Sequence, residues 1–94
     1  MVPDLAVEVV SPTDRAEAGL DKVREYFEAG VQLVWVIYPK LRVVHVFESF
    51  TRIRVLTRAD DLDGGALLPG FRLPLATLFE DETEDQTGLA DPIP

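Results

Sequence analysis

Two charged side chains stand out as candidates for chemistry in this 94-residue chain, Glu8 and Lys22. Glu8 lies in an apolar run that is typical of a strand, and a carboxylate buried there costs free energy unless it is paired or bound to a metal. Lys22 arrives one predicted helix later and is the first lysine of the chain. The two could hold a divalent cation and stabilise negative charge. The structural alternatives are a solvated or arginine-paired Glu8 and an ordinary lysine on a helix surface.

Other reaction classes find little support in the residues. The chain has no cysteine, which excludes thiolate metal sites and a cysteine nucleophile. Neither Ser11 nor Ser49 stands in the context of a nucleophile elbow. Gly64-Gly65 is typical of an ordinary turn, and no glycine-rich phosphate loop is present. The single histidine, His45, has no second histidine or cysteine with which to bind a metal, so a structural role is expected for it.

The segment around Glu8 predicts a strand over residues 4–10, bounded by Pro3 and by Ser11-Pro12. A period of two places Asp4 and Glu8 on the same face of this strand. Four strand residues span about 13 Å, which is too far for the two carboxylates to chelate one cation comfortably. This distance argues against a shared cation, but Asp4 is kept as a second candidate metal ligand. Its structural alternative is a place at the strand entrance.

The segment around Lys22 predicts a helix that begins near Ser11-Pro12-Thr13-Asp14 and runs to about Ala29, with Gly30 as a left-handed stop. Lys22 and Tyr26 fall on a stripe beside the predicted buried face, so the Lys22 ammonium could reach over a sheet edge. Tyr26 is expected to serve packing rather than catalysis. The predicted buried face consists of Ala16, Leu20, Val23 and Phe27.

The remaining segments predict an α/β fold with a mixed sheet. Residues 33–38 are apolar on both faces, as in a central strand, and a right-handed crossover would make them parallel to the first strand. Residues 42–48 and 52–57 predict a β-hairpin added to this sheet. Residues 60–65 are expected to form a loop, 67–71 an irregular apolar cover over the core, and 74–79 a short terminal helix.

Three arginines on the predicted hairpin are candidate contacts for phosphate groups. They come together if the hairpin is tight, whereas the structural alternative is a solvated edge hairpin. These arginines are Arg42, Arg52 and Arg54.

Length and charge predict one domain, or part of one, over residues 1–79 and an acidic, disordered tail over residues 80–94. The net charge is −8, but six of the seventeen acids and no base lie in residues 80–94, which leaves eleven acids against nine bases in the rest. No run approaches the ~18 apolar residues of a membrane span, and the amino terminus lacks a basic region followed by an apolar stretch. The expected location is therefore cytoplasmic, without membrane association.

The run of residues 3–14, Pro-Asp-Leu-Ala-Val-Glu-Val-Val-Ser-Pro-Thr-Asp, resembles the Uma-type restriction endonuclease family, a bacterial branch of the PD-(D/E)XK nuclease superfamily. The similarity continues through residues 21–31, 33–36 and 67–71 to Leu78-Phe79, and so covers residues 3–79. One minor departure is Ile37-Tyr38-Pro39, where the family has Val-Asp-Pro.

The resemblance implies a restriction-endonuclease-like fold that hydrolyses DNA phosphodiester bonds with Mg²⁺ or Mn²⁺. Glu8 matches the second acidic metal ligand of the family. Val10 stands where the superfamily motif has its lysine, and Lys22 matches the lysine that this branch supplies from the following helix. DNA is the partner that the resemblance implies.

The first metal-binding aspartate of the family lies on an earlier strand, upstream of all residues present here, and Asp4 matches a different Pro-Asp element. The chain is therefore expected to form a partial domain, the carboxy-terminal portion, with an incomplete site that is weak or inactive in an isolated monomer. Two alternatives follow. Another copy or a completing chain supplies the missing ligand, or the chain is a non-catalytic remnant or interaction module that retains the nuclease scaffold. Both predict oligomerisation or poor solubility, because missing strands would expose an apolar sheet edge.

Overall fold

The structure of the chain, a computed structural model, describes residues 2–80. Six strands and two helices follow one another along these residues. They are β1 (Leu5–Val9), α1 (Ala16–Ala29), β2 (Leu33–Tyr38), β3 (Val43–Ser49), β4 (Arg52–Leu56), β5 (Asp61–Gly64), β6 (Leu68–Pro74) and α2 (Leu75–Leu78).

A four-stranded sheet of order β1-β2-β3-β4 forms the centre of the fold. β1 and β2 are parallel and joined by α1, whereas β2, β3 and β4 pair antiparallel. The sheet is therefore mixed, which confirms the predicted α/β class and the predicted strand-helix-strand unit with an added hairpin. The register places Glu8 beside Val36 and Val7 beside Trp35.

The two faces of this sheet bury separate apolar clusters. On one face α1 places Val23 against Ala6, Val34, Val36 and Phe47, and Val31 completes this cluster. On the other face the pair β5-β6 and the helix α2 pack against the sheet. The buried residues of this second cluster are Trp35, Val44, Val46, Leu56, Leu62, Leu75 and Phe79.

The predicted start of the helix is wrong by several residues. Ser11–Asp14 forms a turn, in which the Ser11 amide donates to Oδ2 of Asp14 at 2.8 Å and the Asp14 amide donates to the Ser11 carbonyl at 3.0 Å. The first bond is one half of a capping box, whereas the second joins backbone to backbone as in a β-turn, and α1 begins only at Ala16, without a side-chain cap. The predicted end is confirmed, since Gly30 adopts φ 109° and closes the helix.

The predicted buried stripe of α1 is only partly right. Val23 is 1% exposed, but Leu20 is 49% exposed. Ala16 is exposed as well, so only Val23 and Phe27 of the predicted stripe pack against the sheet.

The segment predicted as loop and irregular cover, residues 60–71, instead contributes two paired strands. β5 and β6 pair antiparallel, with Leu62 opposite Leu73 and a bulge at Gly64. Their composition is typical of turns, but burial of Leu62 and stacking of Phe71 on Trp35, with ring centroids 5.8 Å apart, favour the paired form. The short helix that follows is confirmed as α2.

Two further observations bear on the boundaries of the fold. Among the described residues β1 pairs only with β2, so its other edge is free. Val7 and Val9, which alternate with Glu8 on the opposite face of β1, are exposed. No helix within residues 2–80 is long and apolar enough to cross a membrane. Residues 81–94, most of the predicted tail, lie outside the described residues, so the domain boundary stays a prediction.

Candidate active site

Glu8 occupies the carboxyl half of β1, on the face that packs against α1. Alternation along the strand places it between Ala6, which is buried, and Val10. The Glu8 side chain remains 25% exposed. It therefore meets the helix on one side and solvent on the other, which is an arrangement that a ligand can reach.

Lys22 approaches Glu8 from the second turn of α1. Its Nζ atom lies 3.5 Å from Oε1 of Glu8, and the lysine side chain is 62% exposed. The helical periodicity predicted this reach over the sheet, and the contact confirms it. An ion pair as exposed as this one contributes only about 0.2–1 kcal/mol to stability, so packing energetics alone give little reason for the arrangement.

Tyr26 contacts the same carboxylate from one helical turn further on. Its hydroxyl donates a hydrogen bond of 2.5 Å to Oε2 of Glu8. This hydrogen bond raises the pKa of Tyr26 above its usual value, and burial and the negative charges of Glu8 and Glu25 act in the same direction. Tyr26 was expected to serve packing, and it also hydrogen-bonds to Glu8. Its spacing of four residues from Lys22 places it on the same face of the helix, but this spacing alone does not specify the hydrogen bond to Glu8.

A cavity of about 300 Å³ opens beside the Glu8 carboxylate, between the end of β1 and the first half of α1. Gly19 and Ala16 form its helix side and Val36 its sheet side, while Arg15 and Lys22 bring positive charge to it. The small residues of α1 leave room for a ligand beside Glu8. A carboxylate, an ammonium and a guanidinium around one cavity suit a cation together with a phosphate group.

The donor set at this cavity fits Mg²⁺ or Mn²⁺ only in part. A carboxylate oxygen is the ligand that these cations prefer, and Mg²⁺ often keeps several waters beside one or two carboxylates. Residues 2–80 contain no group of three or more histidine, cysteine, aspartate or glutamate side chains that could hold a metal ion. Glu8 could therefore bind a cation only together with water, substrate oxygens or a ligand from elsewhere.

Asp4, the second candidate ligand, lies at the opposite end of β1. Its Oδ1 accepts a hydrogen bond of 3.2 Å from Nε2 of Gln32, and its carbonyl accepts the amides of Gln32 and Leu33. The structure thus places Asp4 at the strand entrance and does not bring its carboxylate to Glu8.

The three candidate arginines do not come together, which corrects the expectation for the hairpin. Arg42 lies in the turn before β3 with φ 55°, while Arg52 pairs with Ser49 at the other end of β3, about 20 Å away along the strand. Arg54 forms an ion pair with Glu48, 3.2 Å from Nε to Oε2. Antiparallel pairing separates the starts of β3 and β4, so a tight hairpin parts Arg42 from the other two. Arg42 alone lies at the end of the sheet that holds Glu8.

Comparison with known proteins agrees with this fold. No curated protein matches the chain. A solved structure that matches is that of "a putative nuclease belonging to DUF820" from Anabaena variabilis, with 19% sequence identity and a TM-score of 0.73. The match covers 82% of this chain but 44% of the other, so this chain spans less than half the length of that nuclease. The family Uma2, described as "Putative restriction endonuclease", matches residues 1–76, most of the 94 residues, and the chain therefore belongs to this family.

Proposed function

We propose that this chain is a restriction-endonuclease-like protein that hydrolyses DNA phosphodiester bonds with Mg²⁺ or Mn²⁺. The observation that carries the proposal is the contact between Lys22 Nζ and Glu8 Oε1 at 3.5 Å, beside an open cavity. A carboxylate that can hold a cation and an ammonium that can stabilise phosphate charge are the two groups this chemistry needs most. The family and the nuclease-like fold support the same reaction class.

Each side chain has a distinct task in this proposal. A bound divalent cation would polarise the scissile phosphate and lower the pKa of its water ligands. Glu8 holds the cation through its carboxylate and gives it a fixed position on β1. Lys22 places a positive charge next to the attacking water and the transition-state phosphate, where negative charge accumulates. Arg15 at the cavity and Arg42 at the same end of the sheet are in place to contact flanking phosphates of DNA.

A further carboxylate from outside residues 2–80 would complete the site. Asp14 also lines the cavity, with its Oδ2 held by the Ser11 amide, whereas Asp4 lies at the far end of β1. A second copy or another chain that adds to the free edge of β1 would bring its residues close to Glu8. Gel filtration tests this step, since a protein that stays monomeric during active cleavage would exclude completion between chains.

Cleavage of supercoiled plasmid tests the function as a whole. The purified chain is incubated with plasmid in Mg²⁺, in Mn²⁺ and in EDTA, beside the Glu8→Gln variant. Glutamine keeps the size and the hydrogen-bond acceptor of Glu8 but loses its charge. We expect metal-dependent nicking by the wild type that disappears in EDTA and in Glu8→Gln. Nicking that survives the substitution would refute the role of Glu8.

A non-catalytic interaction module is the second candidate function. The observation that favours it is that residues 2–80 contain no group of three or more histidine, cysteine, aspartate or glutamate side chains that could hold a metal ion. A well-folded sample that cleaves no plasmid in Mg²⁺ or in Mn²⁺, even at high Mn²⁺ concentration, would support this candidate. Unchanged thermal stability of Glu8→Gln and Lys22→Ala in that case would show that neither residue serves the fold.

A further inference from the structure

Tyr26 and Lys22 divide the two oxygens of Glu8 between them. Both side chains lie on one face of α1, one turn apart, and both reach β1. The Tyr26 hydroxyl binds Oε2 at 2.5 Å, while Lys22 Nζ stands 3.5 Å from Oε1. Oε2 therefore has a close neutral donor, and Oε1 has a more distant cation.

The two partners of Glu8 differ in how firmly they are held. The Tyr26 ring packs against the buried cluster around Val23 and Val34, and this packing holds its hydroxyl in position. The Lys22 side chain is 62% exposed and can leave the carboxylate at little cost. The orientation of the Glu8 carboxylate is thus determined by Tyr26 more than by Lys22.

We propose, resting on the metal-dependent function above, that Tyr26 is a positioning residue that orients the Glu8 carboxylate for the divalent cation. A hydrogen bond from a neutral phenol restricts rotation of the carboxylate but leaves its negative charge in place. Oε1, which Tyr26 does not contact, would then be the oxygen available to a cation, and Lys22 could turn toward phosphate. Hydrogen-bonded partners of this kind orient metal-ligating carboxylates and raise their affinity.

Mn²⁺ binding to the full chain, measured by calorimetric titration, tests the proposal with Tyr26→Phe. Phenylalanine keeps the packed ring and removes only the donor. We expect the affinity for Mn²⁺ to fall about 10- to 100-fold. In the plasmid assay, the Mn²⁺ concentration for half-maximal cleavage should rise by a similar factor, and saturating Mn²⁺ should restore most of the rate. A purely structural role would instead lower the rate at all Mn²⁺ concentrations.

Thr57→Val is the matched control for this measurement. The Thr57 hydroxyl donates to Oδ2 of Asp60 at 3.2 Å, a hydrogen bond to a carboxylate that does not line the cavity beside Glu8. We expect Thr57→Val to bind Mn²⁺ with wild-type affinity. Wild-type affinity of Tyr26→Phe, together with loss of binding in Glu8→Gln, would overturn the role of Tyr26 alone. Unchanged binding in Glu8→Gln would overturn the metal site itself.

Discussion

Lys22 lies 3.5 Å from the carboxylate of Glu8 although the two residues belong to different layers of the fold, one to the helix and one to the sheet beneath it. The contact depends on the parallel crossover, which returns α1 over β1. It also depends on the helical phase, which turns Val23 into the core and leaves Lys22 at its border. Helix and strand thus bring an ammonium and a carboxylate together although 14 residues separate them along the chain.

Replacement of Lys22 by alanine should separate function from stability. We expect Lys22→Ala to abolish metal-dependent nicking. Because the ion pair is exposed, the free energy of unfolding should fall by only ~0.2–1 kcal/mol, with a correspondingly small shift of the melting temperature. Arg24→Ala is the matched control, since it removes another exposed ion pair on α1, 2.6 Å between Arg24 and Asp21, away from the cavity. Equal loss of cleavage in both variants would contradict a specific role of Lys22.

Two glycines of the same helix should respond to alanine with opposite sign. Gly19 lies inside α1 with open space where a Cβ would stand, so Gly19→Ala should stabilise the protein by about 0.5–1 kcal/mol. Gly30 ends the helix at φ 109°, and Gly30→Ala should destabilise it by about 1–2 kcal/mol although no atom obstructs the new Cβ. Urea unfolding of the two variants measures both values. A change of the same sign in both would refute this account of the helix end.

The central part of the fold could be predicted from the sequence, because periodicity reports burial directly there. Residues 33–38 are apolar on both faces and form the interior strand β2, and Gly30 ends α1 as expected. The pairing of β5 with β6 was missed, since its residues are rich in glycine and acids. Those strands form because Leu62 and Leu73 meet across them over the sheet, a tertiary contact that no local pattern contains.

The candidate site was predictable to the extent that helical phase and strand alternation determine it. These two periods bring Lys22 to Glu8, whereas the distance between Asp4 and Glu8 follows from strand rise alone. The separation of Arg42 from Arg52 follows from antiparallel pairing, because the two residues lie at the starts of successive strands of one hairpin. The hydrogen bond from Tyr26 depends on the tilt of α1 over β1, which sequence spacing does not specify.

The attachment of the second layer to the sheet should depend on Leu75. This residue begins α2, is 0% exposed and packs in the cluster that contains Trp35 and Phe79. Leu75→Ala should destabilise the protein by about 2–5 kcal/mol, because the substitution leaves an empty space in this cluster that the neighbouring side chains cannot fill. Leu41→Ala, at a side chain 70% exposed, is the control and should stay within ~0.5 kcal/mol of wild type. Equal urea midpoints for the two variants would show that α2 contributes little to the core.

The stability of the protein should decline in mildly acidic solution because of His45. Burial on β3, between the rings of Tyr38 and Phe47, lowers the pKa of His45 below its usual value of about 6.5. Below that pH the unfolded chain binds a proton at His45 more readily than the folded chain does. The free energy of unfolding therefore decreases as the pH is lowered. The decline should run from about pH 6.5 downward, before most carboxylates titrate.

His45→Gln tests this assignment, because glutamine is polar and uncharged at every pH. Urea unfolding at pH 7.5 and at pH 5.5 should show a loss of stability in the wild type and a smaller loss in the variant. The variant itself loses ring packing against Tyr38 and should start from a lower stability at pH 7.5. The quantity compared is therefore the difference between the two pH values within each protein. An equal difference in both proteins would assign the acid sensitivity to groups other than His45.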